Sequence, residues 1–283
     1  MPALQVADHL AHAARQLAEA LGLPPREARL EAQILFAHAL GVNRAWLIGH
    51  DRDRLDPAQA SRVAALLKRR LAGEPVAYLL GEREFYGRIF QVTPDVLIPR
   101  PDTELLVELA LERLPPGAAL NVLDIGVGSG AVAISLALER PRCRVTGVDL
   151  SAGALRVAEA NANALHAGVE LLASDVFGAL GKRRFHLIVS NPPYIAAADP
   201  HLQQGDLRFE PPQALASGSD GLDLIRRLVS EAPEHLEAGG WLLLEHGWDQ
   251  AAAVRVLLQA AGFDKVFSAT DLPGHERVTG GRV

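Results

Sequence analysis

The feature that most constrains the fold is an alternation of short apolar segments with amphipathic ones that begins at residue 118. Apolar segments of strand length lie at 120–125, 144–149, 169–173, 185–190 and 241–245, and helical patterns lie near 129–140, 151–167, 221–236 and 249–261. This alternation predicts a mostly parallel sheet with helices on both faces. Two further segments, 264–270 and 276–282, are too close for a helical crossover, so they must pair antiparallel.

The residues before this alternation show a different pattern. Up to about residue 80 the periodicity is only helical, as in the apolar stripe of Leu10, Ala14, Leu17 and Leu21. Residues 83–98 then carry apolar residues on both sides of Gly87-Arg88, which is typical of a β-hairpin. We therefore predict an all-helical N-terminal domain over 1–82, a linking hairpin over 83–98, and an α/β domain over 99–283. A helix capped by Asp102 should begin that third part.

Composition excludes several classes of protein. Residues 1–82 have a formal charge of +1, which leaves −7 for the rest of a chain whose total is −6. A duplex-binding protein should carry a basic stripe, so no direct nucleic-acid partner is expected. With one cysteine, Cys143, and no H-E-x-x-H or Cys/His spacing, no metal site is expected. The apolar runs are too short for a membrane span and no signal peptide is evident, so we expect a cytoplasmic protein with no membrane partner.

A glycine-rich segment directly follows the first strand of the alternation. It reads Asp124-Ile125-Gly126-Val127-Gly128-Ser129-Gly130 and precedes a helix. Glycines let a backbone approach a ligand closely, and a helix N-terminus offers free N–H groups. The G-x-G-x-G spacing differs from the G-x-G-x-x-G that binds a dinucleotide. It suits S-adenosyl-L-methionine, where an acid such as Asp124 helps to position the ammonium group.

The next strand ends at Asp149, about 20 residues after the glycines. A carboxylate there can accept hydrogen bonds from both ribose hydroxyls of a nucleoside cofactor. The alternative is that Asp149 only caps the following helix, which Ser151 could equally do.

The tetrapeptide Asn191-Pro192-Pro193-Tyr194 ends the strand at 185–190, where ligands of open α/β sheets bind. Its prolines remove N–H donors and leave carbonyl oxygens. The Asn191 side-chain oxygen and the Pro192 carbonyl could accept both N–H bonds of a planar amide or aromatic amine, which would aim the nitrogen lone pair at a methyl donor. Tyr194 could stack on the flat target.

These motifs resemble the class I methyltransferases with an Asn-Pro-Pro-Tyr motif. Over essentially the full chain, the resemblance is to the bacterial peptide chain release factor glutamine methyltransferases. It extends to Leu97-Ile98-Pro99-Arg100-Pro101-Asp102-Thr103-Glu104, Arg208-Phe209-Glu210-Pro211, Leu244-Glu245-His246-Gly247 and Glu276-Arg277-Val278-Thr279. It implies a Rossmann-like, mostly parallel seven-stranded sheet with an antiparallel C-terminal hairpin, beside a small helical substrate-recognition domain.

The resemblance also implies residue roles. Gly126, Val127, Gly128, Ser129, Gly130, Asp149 and Asn191 would bind S-adenosyl-L-methionine, which leaves as S-adenosyl-L-homocysteine. Asn191, Pro192, Pro193 and Tyr194 would hold the substrate, the glutamine of the Gly-Gly-Gln loop of class 1 release factors. Two positions depart from the pattern: relatives often carry Thr or Cys at Val127, and some carry Trp at Val176, beside the adenine. Phe177 could take the place of that Trp.

The expected reaction is therefore methyl transfer to a protein glutamine amide by direct displacement. From the residues alone, other hypotheses about the function stay open. A related enzyme methylates a glutamine of a ribosomal protein, and DNA or RNA amino methyltransferases use a similar tetrapeptide after base flipping. A non-catalytic adaptor with a vestigial cofactor fold is disfavoured by the intact Asp124, Asp149 and Asn191.

Overall fold

A computed structural model describes residues 5–283, which fall into two compact units. Unit 1 comprises the chain up to Gly81 together with Gln204–Phe209, and unit 2 comprises Glu82–Gln203 and Glu210–Val283. Nothing in the sequence pattern indicated that Gln204–Phe209 would pack with the N-terminal helices. No helix among the described residues is long and apolar enough to cross a membrane.

Unit 1 is helical. Its helices are α1 (Val6–Leu21), α2 (Pro25–Leu40), α3 (Arg44–Gly49), α4 (Pro57–Leu71) and α5 (Val76–Leu80). Helix α2 begins at Pro25 because proline is tolerated in a first turn, where its missing N–H has no helical partner. Asp56 caps α4 as predicted, accepting from the Gln59 amide while the Gln59 side chain accepts from the Asp56 amide. The helical periodicity of the sequence did not reveal the short helices α3 and α5.

Unit 2 opens with the predicted hairpin, β1 (Glu82–Phe85) and β2 (Arg88–Gln91). The two-residue turn is Tyr86-Gly87, with positive φ at both positions, as the right-handed twist of paired strands favours. A 3-10 turn (Pro101–Thr103) then precedes α6 (Glu104–Arg113), so the expected Asp102 cap is wrong. Asp102 instead forms an ion pair with Arg277 at 3.3 Å.

The main sheet contains seven strands in the order β5-β4-β3-β6-β7-β9-β8. The strands are β3 (Asn121–Ile125), β4 (Arg144–Asp149), β5 (Val169–Ala173), β6 (Phe185–Ser190), β7 (Leu236–Glu245), β8 (Asp264–Thr270) and β9 (Glu276–Arg282). Strands β3 to β7 pair in parallel, and β9 lies antiparallel between β7 and β8, as the short connection required. The strand order reverses between β3 and β6, and the crevice beside such a reversal is where ligands bind.

Helices cover both faces of this sheet. They are α7 (Ala131–Glu139), α8 (Ala152–Ala164), α9 (Asp223–His235) and α10 (Ala251–Ala260). Along β6, Leu187 and Val189 belong to one apolar cluster while Ile188 belongs to another, so successive side chains are buried on opposite faces. Three further 3-10 turns, Pro200–Gln203, Leu207–Phe209 and Pro212–Ala214, lie in the connection from β6 to α9.

Candidate active site

A cavity of about 550 Å³ lies within unit 2, where β3, β4 and β6 end. This volume is typical of a small-molecule site. The cavity wall includes the predicted residues Asp124, Gly126, Val127, Gly128, Ser129, Asp149, Val176, Asn191 and Pro193. Gly130, Pro192 and Tyr194 do not line it. The structure therefore brings most of the predicted residues to one site, although they come from four separate parts of the chain.

The glycine loop requires glycine at its three G-x-G-x-G positions. Gly126, Gly128 and Gly130 have φ of 75°, 55° and 84°, a left-handed conformation that favours glycine. The Gly126 and Val127 amides both donate to the Val148 carbonyl at 2.9 Å, which ties the loop to β4. A Cβ on Gly130 would lie 2.7 Å from the Ile134 side chain, so Gly130 serves the packing of α7 rather than the cavity wall.

Asp149 accepts from two backbone amides, those of Gly128 at 3.0 Å and Ser151 at 2.8 Å. The cap of α8 is the Ser151 hydroxyl, which accepts from the Ala154 amide. Because Ser151 fills that role, the carboxylate of Asp149 is not needed as a helix cap. It lines the cavity with lone pairs available beyond its two backbone contacts.

Asp124 is the more deeply buried acid, at 3% exposure, and accepts from the Ala133 amide at 3.0 Å. Burial raises its pKa to about 7, the Ala133 amide opposes that rise, and the neighbouring charge of Asp149 adds to it. A cation in the cavity would stabilise the ionised form of Asp124. This corner of the cavity is therefore suited to an ammonium group.

The Asn-Pro-Pro-Tyr segment is held by side chains from other elements. The Asn191 side-chain nitrogen donates to the Thr103 hydroxyl at 3.1 Å, and the Gln250 amide donates to the Tyr194 carbonyl at 2.9 Å. Pro192 is buried. Tyr194 is partly buried against the apolar cluster of β7 and α9, and desolvation raises the pKa of its phenol. Of the tetrapeptide, only Asn191 and Pro193 face the cavity.

Residue 176 also lines the cavity, in a turn held by Ser174. The Ser174 hydroxyl donates to the Val176 carbonyl at 2.9 Å, and Val176 has a φ of 51°. Phe177 does not line the cavity: it is buried and stacks on His235, with ring centroids 4.5 Å apart. The expectation that Phe177 replaces an adenine-stacking Trp is therefore wrong. At residue 176 the cavity wall is therefore formed by an aliphatic side chain.

The other segments that carry the family resemblance are joined to one another by their side chains. Arg100 forms an ion pair with Glu210, which also accepts from the Ile98 amide at 3.0 Å. His246 is fully buried and shares a hydrogen bond of 2.7 Å with Thr279. These contacts and the Asp102–Arg277 ion pair join all four segments to one another, which their sequence spacing did not indicate.

Glu245 was not predicted as a site residue. It ends β7, is 1% exposed, and burial raises its pKa to about 7. The nearby hydroxyls of Thr103 and Tyr194 lower this pKa, and the Oε2 atom has no hydrogen-bond partner. Asp102 raises this pKa further and Arg277 lowers it. The only sequence signal was its place in Leu244-Glu245-His246-Gly247.

Comparison with known proteins assigns the family. Residues 8–81 match the family described as the PrmC N-terminal domain, and residues 102–206 match the methyltransferase small domain. The release factor glutamine methyltransferase of Bordetella pertussis is 56% identical over 92% of this chain and 95% of that protein. That of Burkholderia pseudomallei is 54% identical over 94% and 95%. The chain belongs to the release factor glutamine methyltransferase family.

Membership of the release factor glutamine methyltransferase family confirms the resemblance predicted from the motifs, and it makes the chain a methyltransferase.

Comparison with solved structures supports the fold assignment. The T. thermophilus 16S rRNA methyltransferase RsmC, in complex with AdoMet and guanosine, matches 71% of this chain and 49% of its own, with a TM-score of 0.55 and 24% identity. The hMettl16 catalytic domain matches 76% and 81%, with a TM-score of 0.56 and 14% identity. The predicted Rossmann-like methyltransferase fold is confirmed.

Proposed function

We propose that this enzyme methylates the side-chain amide nitrogen of the glutamine in the Gly-Gly-Gln motif of class 1 release factors, with S-adenosyl-L-methionine as methyl donor. Its similarity to release factor glutamine methyltransferases supports a release factor as the protein substrate. The observation that carries the chemistry is the position of Asn191, whose side chain lines the same cavity as the glycine loop and Asp149. A cytoplasmic location fits a substrate that acts in translation.

The cavity residues fit S-adenosyl-L-methionine by their chemistry. Asp149 offers a carboxylate to the ribose hydroxyls, and Asp124 offers one to the ammonium group. Gly128 leaves room for close approach, since a Cβ there would meet only the Gly126 carbonyl, at 3.9 Å. The bound cofactor supplies an electrophilic methyl group on a sulfonium. The side chain of residue 176 contributes only apolar contact to the adenine end.

Asn191 would orient the target nitrogen. Its Nδ2 already donates to Thr103, so Oδ1 is the atom left to accept from the glutamine amide. Asn191 Oδ1 would hold one N–H bond of the glutamine so that the lone pair can point at the methyl group. The Pro192 carbonyl, expected from the sequence as the second acceptor, belongs to a residue that does not line the cavity. Methyl transfer makes the nitrogen cationic and acidic, so its proton leaves without a strong base. Tyr194 supports the loop through its partly buried ring, and Pro193 adds apolar contact at the cavity wall.

The substrate is tested by incubating the enzyme with labelled cofactor and purified class 1 release factors, followed by mass mapping. We expect one added methyl group on the Gly-Gly-Gln glutamine. Ribosomal proteins and RNA in parallel reactions test the two other acceptors that the sequence left open. Preferential labelling of either would replace the release factor as substrate.

Asn191→Ala tests the catalytic geometry. Loss of one positioned transition-state hydrogen bond should lower turnover about 10²–10³-fold, with a smaller effect on cofactor affinity. Asn191→Asp keeps two acceptor oxygens and should retain more activity than the Ala variant. Asn163→Ala, at an exposed position of α8, is the matched control and should behave as wild type. Equal turnover of Asn191→Ala and wild type would mean that the tetrapeptide is only a turn.

A further inference from the structure

Arg100 is the only cationic residue among the described residues that line the cavity. The other charged side chains of the cavity wall are acids: Asp95, Asp124, Asp149 and Asp175. S-adenosyl-L-methionine carries one anionic group, the carboxylate of its methionine part. Asp124 and Asp149 offer partners to its ammonium group and its ribose hydroxyls, but an acid repels a carboxylate. The counter-charge for that carboxylate must therefore come from Arg100.

The Arg100 guanidinium is held in place by a buried acid. The Glu210 side chain has no exposed surface, and its Oε1 pairs with Arg100 Nη2. Its Oε2 accepts from the Ile98 amide at 3.0 Å. A buried carboxylate requires partners for both of its oxygens, which Glu210 obtains from the segment that carries Arg100. The ion pair thus fixes where the guanidinium lies.

The ion pair with Glu210 uses only part of the guanidinium, which has five N–H donors. Among the described residues, Arg100 Nη2 donates to Glu210, whereas Nε and Nη1 have no hydrogen-bond partner. The Arg100 side chain is 34% exposed and lines the cavity, so these donors are available to a ligand there. Hydrogen bonds from a guanidinium to a carboxylate are among the strong ones, because both groups are charged.

A series of contacts places Arg100 and Asp124 at the same end of the cavity. The Arg100 carbonyl accepts from the Thr103 amide at 3.1 Å, and the Thr103 hydroxyl accepts from the Asn191 side chain at 3.1 Å. Asn191 follows β6, which pairs with β3, the strand that carries Asp124. Asp149 ends β4, on the other side of β3. The ammonium and carboxylate groups of an amino acid share one carbon atom, so their partners must lie at one end of the cavity.

We propose that Arg100 binds the carboxylate of the methionine part of the cofactor, while Asp124 binds the ammonium group on the same carbon atom. This inference rests on the proposed function, since it names the partner of one group of the proposed cofactor. The two residues offer opposite charges to a zwitterion. An amino acid end that is held at both charges has little freedom to rotate, which fixes the sulfonium relative to Asn191.

Calorimetry with three ligands tests this role of Arg100. S-adenosylhomocysteine carries both charges, its decarboxylated form keeps only the ammonium group, and methylthioadenosine lacks the whole amino acid part. The wild-type enzyme should bind S-adenosylhomocysteine about tenfold to hundredfold more tightly than the decarboxylated form, because hydrogen bonds between charged groups are strong. Arg100→Met should lose this preference and bind methylthioadenosine as tightly as wild type. Arg255→Met is the matched control: Arg255 is equally exposed, and it pairs with Glu276 outside the cavity.

A second variant covers the case in which Arg100→Met does not fold. That substitution leaves Glu210 buried without its ion-pair partner, which is strongly destabilising. The double variant Arg100→Met/Glu210→Gln removes both charges, and the new side-chain oxygen can still accept from the Ile98 amide. We expect it to show the same loss of preference for the carboxylate, with the melting temperature reporting its folding.

The inference would be overturned if a folded Arg100 variant kept the full preference for S-adenosylhomocysteine over its decarboxylated form. An equal loss of affinity for all three ligands would overturn it too, because that result indicates general damage to the cavity. A raised KM for the release factor with an unchanged ligand preference would assign Arg100 to the substrate instead. If the wild-type enzyme bound none of the three ligands, the proposed cofactor itself would be wrong, so the two failures are distinguishable.

Discussion

Asp124 illustrates at the residue scale how burial prepares a group for a ligand. Its carboxyl is desolvated beside one backbone amide, and its pKa is raised to about 7 by that burial. In the free protein near neutral pH, about half of the molecules therefore carry a proton there. An ammonium group arriving in the cavity favours the ionised form, so binding and proton release are coupled.

This coupling predicts the pH dependence of cofactor affinity. Below pH 7 Asp124 is protonated and offers no charge to an ammonium group, whereas above pH 7 it is ionised. Affinity for S-adenosylhomocysteine should therefore strengthen about tenfold between pH 6 and pH 8, as measured by calorimetry. In Asp124→Asn, which can still accept from the Ala133 amide, the pH dependence should disappear. The same slope in both proteins would show that another group titrates.

Asp124, Asp149 and Asn191 were predictable as site residues because each lies within the last two residues of a strand or directly after it, in a consecutive motif. The hydrogen bond between Thr103 and the Asn191 side chain was not predictable, since it joins distant segments and no local pattern encodes it. The position of Val176 at the cavity was predictable from the sequence. The position of the neighbouring Phe177 was not, because Phe177 stacks on His235 in the core.

At the scale of elements, the segment that carries Asn191 is shaped by contacts from the chain beyond it. Gly221, just before α9, has a φ of 79° and packs against the backbone of Tyr194. A Cβ at Gly221 would lie 2.1 Å from the Tyr194 carbonyl oxygen. The same carbonyl accepts from the Gln250 side chain, so it has little freedom to move.

Gly221→Ala should therefore lower turnover as well as stability. The left-handed conformation alone costs an alanine about 1 kcal/mol, and the overlap must in addition displace the Tyr194 backbone. Gly262→Ala is the matched control, because Gly262 has a φ of 85° but open space where the Cβ would lie. Both variants should lose thermal stability, measured by melting temperature, but only Gly221→Ala should lose kcat. Equal kcat in the two variants would show that the segment tolerates displacement.

Element boundaries were predictable where apolar runs end at glycine, proline or a charged residue, as for β4 and β6. Boundaries were harder to predict where a helix and a strand adjoin. Strand β7 begins at Leu236, directly after α9, although its apolar run begins only at Trp241. The helices α3 and α5, of six and five residues, are too short to show a helical period. The 3-10 turns of the connection from β6 to α9 have no periodic pattern either.

At the scale of the whole molecule, the chain leaves unit 2 once and returns. Gln204–Phe209, between the Asn-Pro-Pro-Tyr segment and α9, belongs to unit 1. Arg70 of α4, 4% exposed, donates to Asp206 at 3.0 Å and to Glu31 at 2.7 Å. Arg208 donates to the Ala72 carbonyl at 2.9 Å. A six-residue piece of the connection is thus fixed by buried and backbone partners of the helical unit.

Deleting residues 1–82 separates the roles of the two units. Every residue that lines the cavity lies in unit 2, so affinity for S-adenosylhomocysteine should stay within about threefold of the full chain. Methylation of an intact release factor should fall on the order of a hundredfold, which corresponds to about 2.7 kcal/mol of lost recognition. A short glutamine peptide is the control substrate, because a peptide that reaches only the cavity should be methylated equally by both proteins.

The deletion also removes the partners of Asp206 and Arg208, so circular dichroism and thermal melting must first show a folded fragment. If that folded fragment methylates intact release factor at the full rate, residues 1–82 do not recognise the substrate.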